Sequence, residues 1–207
     1  MKKITTILIS ILLVFLVSNG ICAKKPTKMQ PLIINEQEKT ITYLAKVNGK
    51  YFSQGTRHAS VYEKGSNGAK SIFTSLVDQN EFYNALIKIG AKPGNNMTML
   101  NRNTTHVKGS NLIISVNWEG APRPYTFDEI INDSNGLPII IRFGGNKARA
   151  KSRKTGCLIC LDSCPVGVAS NATYAFGAVK RAEVSFLANE EILPTANTLV
   201  YLTIGVK

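Results

Sequence analysis

DQNEFYNALIKIG, Asp78 to Gly90, is the one stretch of the chain that reads with a convincing helical period. Phe82, Ala85, Leu86 and Ile89 stand at i, i+3, i+4 and i+7, so they share one face of a helix. Asp78 followed by Glu81 predicts an N-terminal cap, and Gly90 supplies the stop, which places the helix at about Asp78 to Ile89. Elsewhere the pattern shortens to that of strands. KTITYLAKV (Lys39 to Val47) is rich in β-branched and aromatic residues, and HASVYEKG (His58 to Gly65) ends in a turn. LIISVNW (Leu112 to Trp118) alternates, as a half-buried strand does. YTFDEII (Tyr125 to Ile131) reads as a helical turn or a strand, with strand preferred, and Ile139 to Phe143 as a buried strand running into the glycine pair of RFGGN. RAEVSFLAN and TLVYLTIGV read as two final strands. The expectation is an α+β, β-dominated fold: a single compact domain of antiparallel or mixed strands with one amphipathic helix.

The N-terminus has a different character. Lys2 and Lys3 precede an apolar run from Ile7 to Val17, and small and polar residues follow. That is the order of a secretory signal peptide, and the run is too short for the ~20 residues a spanning helix needs. Cleavage is expected after Ala23, with Gly20 as the alternative, and an uncleaved anchor is the other reading. Ile21 and Asn19 do not suit a lipoprotein site at Cys22. Residues 1–23 are therefore assigned to the signal, 24–31 to a disordered lead-in, and 32–207 to one domain. The expected location is outside the cytoplasmic membrane of a bacterium, periplasmic or extracellular, with membrane contact only through an uncleaved signal.

The formal net charge is +12, of which Lys2 and Lys3 contribute two, so +10 remains on the rest. This favours anionic partners, such as an envelope component. Export argues against nucleic acid, and no nucleic-acid motif is present. Catalytic patterns are absent as well: there is no G-x-S-x-G, no H-E-x-x-H and no spaced carboxylate pair. A binding or electron-carrying role is expected rather than catalysis. RFGGN reads as a turn, Trp118 as a packing residue, and the sequons at Asn96, Asn103 and Asn171 as polar loops.

TGCLICLDSCPVG, residues 155–167, holds three of the four cysteines in the spacing C-x2-C-x3-C-P. The bacterial ferredoxin run is C-x2-C-x2-C-x3-C-P. Cys157, Cys160, Cys164 and Pro165 match its last part, but Lys154 stands where the first cysteine belongs. Asp162 is a candidate for the missing ligand. An iron–sulfur cluster would also need assembly outside the cell membrane, and the signal lacks the twin-arginine pair of folded-protein export. Zinc or cuprous copper suits thiolates and can be bound after export. In a tetrahedral zinc site the fourth ligand would be a histidine, and His58 and His106 are the candidates. The structural alternative is a disulfide, Cys157–Cys164 or Cys160–Cys164, with one odd thiol left over. KARAKSRK, 147–154, puts five positive charges just upstream. Lys151, Arg153 and Lys154 are candidates for stabilising thiolates or binding an anion; otherwise the run is a solvated loop.

Over Lys39 to Ala175 the chain resembles the YdjY-type domain family of exported bacterial proteins. The resemblance rests on GKYFSQGTRHASVY, FYNALIKIGAKPGNN, VNWEGAP, IIIRFGGN and TGCLICLDSCPVGVASNATY. It implies an exported domain with the C-x2-C-x3-C-P loop, sometimes labelled ferredoxin-like, and brings no reaction with it. Three functions follow from the residues. The first is a metal or iron–sulfur binder, with electron transfer as one use. The second is a thiol–disulfide protein using the same cysteines with a redox partner protein. The third is an envelope interaction module whose cysteines only brace a loop.

Overall fold

The computed structural model describes residues 24–207; the expected signal peptide and Cys22 lie outside the described residues. The described chain begins with β1 (Leu32–Asn35), which turns back antiparallel on β2 (Thr40–Val47). β3 (His58–Tyr62) and β4 (Phe73–Ser75) follow, parallel to each other. Then come α1 (Gln79–Lys88), β5 (Leu112–Trp118), β6 (Tyr125–Thr126), α2 (Phe127–Ile130) and β7 (Ile131–Asp133). The last part contains β8 (Ile141–Arg142), α3 (Lys147–Arg153), β9 (Cys157–Cys160), β10 (Ala169–Asn171), β11 (Phe186–Ala188) and β12 (Leu199–Val206).

Ten strands form one mixed sheet in the order β6–β5–β12–β2–β4–β3–β9–β10–β8, with β1 on the same side of β2 as β4. β7 and β11 pair apart from it. A bridge between Asn111 and Arg142 ties the start of β5 to β8, so the sheet curls back toward its own far edge. β12 alternates as its sequence asks: Val200, Leu202 and Ile204 are buried, and the residues between them are half-buried. α1 covers the curl with Phe82, Ala85 and Leu86, and the Phe82 ring meets Tyr43 edge-on at 5.6 Å. Its capping box is formed: Asp78 accepts from the Asn80 and Glu81 amides, and Glu81 accepts from the Asp78 amide. The fold is thus β-dominated with a single substantial amphipathic helix. No helix among the described residues is long and apolar enough to cross a membrane.

Several segments differ from expectation, each for a local reason. Tyr125 to Ile131 is not one strand, because Thr126 and Glu129 close a capping box that turns 127–130 into helix. Ile139 to Phe143 keeps only a two-residue ladder. The Ile139 and Ile140 amides donate instead to the side chains of Asp128 and Asn171. Within residues 24–31 Pro26 is buried, and the Leu44 amide donates to the Pro31 carbonyl. KARAKSRK is helix rather than loop, with Ala150 as its only buried residue.

Candidate metal centre

The site is built where β9 lies between β3 and β10. Cys157 and Cys160 are three residues apart, which on a regular strand would send them to opposite faces. The β3–β9 ladder is irregular here, with register shifts between His58 and Ser60 and between Ser60 and Val61. Each strand carries one extra residue in turn, and such bulges re-aim side chains. Cys157 and Cys160 consequently both turn to the imidazole of His58, which pairs in register with Cys160. Their sulfurs stand 3.7 and 3.9 Å from His58 Nδ1. The three donor atoms lie within 4.8 Å of one another, and all three residues are buried.

Cys164 arrives from the loop after β9. It packs in one buried cluster with Cys157 and Cys160, and its sulfur accepts from the Gly167 amide at 3.3 Å. The loop is pinned from outside. Asn146, in left-handed conformation, donates to the carbonyls of Cys164 and Gly167, and the Cys164 amide donates to Ser170. RFGGN therefore does more than turn the chain: its asparagine holds the cysteine loop. All three cysteines are free thiols, so neither disulfide pairing is formed.

The thiols are not equivalent. The Cys160 thiol, bonded to the Cys157 and Cys164 sulfurs and fully buried, is pushed up above the ordinary range. The hydrogen bond from Cys160 lowers Cys157 well below that range, against burial and with help from His58. The same donor brings Cys164 down to about 7, with Arg57 adding to it. Chains of buried donors and acceptors polarise one another in this way.

Asp162 is paired with Arg57. Its carboxylate is fully buried; Oδ1 accepts from Arg57 Nε at 3.1 Å and from Arg57 Nη2, and Oδ2 accepts from the Gly177 amide at 2.8 Å. It stands outside the compact donor group, as does Cys164. Burial raises its pKa above the ordinary value, against the pull of Arg57 and the Gly177 amide. Burial works against the charge of Arg57 too, yet Asp162, Cys160 and Cys164 together hold its pKa above the usual value. Lys151, Arg153 and Lys154, expected to support the thiolates, are exposed along and just beyond α3. The guanidinium nearest in the chain to His58 is that of Arg57, held by Asp162 between the second and third cysteines. Of the two histidines, His106 is exposed and bonds through Nδ1 to the Ala172 carbonyl, away from the thiols.

A family model described as the YdjY domain matches residues 32–205 of the chain. The chain is 53% identical over 175 residues, 84% of its length and 78% of the relative's, to a protein of Escherichia coli (strain K12) named Uncharacterized protein YdjY. No solved structure matches the chain.

Proposed function

The chain belongs to the YdjY domain family, and from that premise, which brings no reaction, we propose that it is an exported, non-catalytic metal-binding protein. Cys157, Cys160 and His58 hold a single ion, and Cys164 swings in as the fourth donor. The observation that carries this reading is the separation of the imidazole nitrogen from the two sulfurs, 3.7 and 3.9 Å. Zinc binds thiolate at about 2.3 Å and imidazole at ~2.0 Å, and a tetrahedral angle then sets sulfur and nitrogen about 3.5 Å apart. Three sulfurs and one nitrogen suit zinc or cuprous copper. An iron–sulfur cluster spreads its cysteines around a body larger than one ion, and donors this close favour the single ion over it. The Lys-Lys start and short apolar run support export, and the positive balance supports contact with an anionic envelope component or a partner protein.

A second reading is favoured by one observation: Cys157, Cys160 and Cys164 pack in one buried cluster, so a thiol–disulfide exchange could pass among them. One paired measurement separates the two. On protein prepared without oxygen, metal and acid-labile sulfide are counted per chain, and free thiols are titrated before and after reduction. One zinc or copper without sulfide supports the metal reading. Stoichiometric iron with sulfide replaces the single ion by a cluster. No metal, with one free thiol rising to three on reduction, overturns both in favour of the redox reading.

A further inference from the structure

We infer that Asn67 is a positioning residue of this metal centre, its side-chain amide donating a hydrogen bond to the Cys157 sulfur; the inference rests on the metal reading above. Asn67 stands at the N-cap position of a short 3-10 turn, Gly68–Lys70, where an asparagine side chain ordinarily accepts from the turn's own amides. Here it makes no such bond, and its nitrogen lies 3.6 Å from Cys157 Sγ instead. An asparagine can present either end of its amide, and Lys70 settles which. The Lys70 ammonium has only donors to offer and lies 3.1 Å from Oδ1, so the oxygen belongs to the lysine and the N–H group to the sulfur.

The backbone brings this amide to the cysteine. The Ser66 and Asn67 amides donate to the carbonyls of Lys154 and Thr155, and the Tyr62 amide donates to that of Gly156. The segment that carries Asn67 is thereby latched along the approach to Cys157. A Cβ on Gly65 would collide with the Thr155 carbonyl and stand 2.6 Å from Gly156 Cα, so only glycine lets the two segments lie this close. Asn67 then does for Cys157 what the Gly167 amide does for Cys164. Two of the three sulfurs in the proposed donor set thus accept from an N–H group. Such a bond fixes the direction of the sulfur's remaining lone pairs and draws charge off it, and outer donors of this kind tune a metal site strongly.

Cobalt(II) serves as the probe, read by its thiolate charge-transfer band for the electron density of the sulfurs and by chelator competition for affinity. Asn67→Asp keeps the size of the side chain and the oxygen that Lys70 uses, but turns an acceptor to the sulfur. Binding is expected to weaken roughly tenfold to a hundredfold, and the band to move to lower energy, because a sulfur without its donor yields charge to the metal more readily. Asn67→Ala is expected to move the band the same way with a smaller loss of affinity, and Asn67→Gln to return it part of the way. An asparagine that only shapes the turn would lower the thermal midpoint of the metal-free protein when replaced and leave the band where it is. A band that stays in place, or moves to higher energy, in either Asn67→Asp or Asn67→Ala overturns the inference whatever the affinity does. Should Asn67→Asp fail to fold, the band of Asn67→Ala decides alone. A wild-type chain that gives no thiolate band rejects the metal reading and the inference with it. An unmoved band in variants that still bind cobalt rejects the inference and leaves the metal reading standing.

Discussion

A methyl group on Gly167 would sit 2.8 Å from the Cys160 sulfur, with the Ala169 carbonyl at 3.3 Å on another side. Neither neighbour is the loose end of a flexible side chain, so the sulfur has to move. Gly167→Ala is expected to lower cobalt or zinc affinity at least tenfold while the thermal midpoint of the metal-free protein shifts by only a few degrees. His58→Ala should abolish tight binding and His106→Ala should leave it intact, a contrast that equilibrium dialysis reads directly. The cysteines are legible in the sequence because their spacing is local. The choice between His58 and His106 is not, because it depends on which strand pairs with β9. The pairing of Asp162 is hidden for the same reason: its partner Arg57 is 105 positions away.

Among the elements, those with a strong local signal are the ones the sequence reveals. α1 combines a helical period with a capping box, and both are formed. Asp78→Ala is expected to cost about 1 kcal/mol in denaturant unfolding, the usual worth of an N-terminal cap. α2 has only four residues, too few to show a period, and its capping box is the sole clue. That box has a pH signature. Arg123 chiefly, then the Thr126 amide and hydroxyl, hold the Glu129 carboxyl down at about 2, below its ordinary 4.5. A depressed acid stabilises the fold fully above its ordinary pKa and loses that contribution as pH falls toward the depressed value. The stability gap between wild type and Glu129→Gln should therefore be constant from pH 7 to 5 and narrow steadily below 4.5 in denaturant titrations. β8 escapes a pattern reading because side chains of Asp128 and Asn171 take the amides that a ladder would have used. α3 escapes it because a helix that buries one alanine has no apolar stripe to display.

For the molecule as a whole, fold class follows from the balance of alternating segments, while strand order does not, since pairing joins residues far apart. The last strand shows this most clearly: β12 is central, hydrogen-bonded to β2 on one side and β5 on the other. Its removal opens the sheet and exposes Val200, Leu202 and Ile204 together with what they cover. A chain ending at Asn197 is expected to lack cooperative unfolding and to lose the far-ultraviolet signature of sheet; a cooperative melt from such a chain would contradict the assigned topology.

The two strands that meet at the cysteines carry a consequence for the kinetics of the loaded protein. His58 and Cys157 are 99 positions apart, so an ion held by both is a cross-link that closes a long loop. A staple of this length restrains the unfolded ensemble far more than the folded one, by an amount that grows slowly with the loop it closes. Release of the ion and parting of β3 from β9 then become one event. Chelators should accelerate loss of metal up to a plateau set by strand opening, and past that concentration more chelator should change nothing.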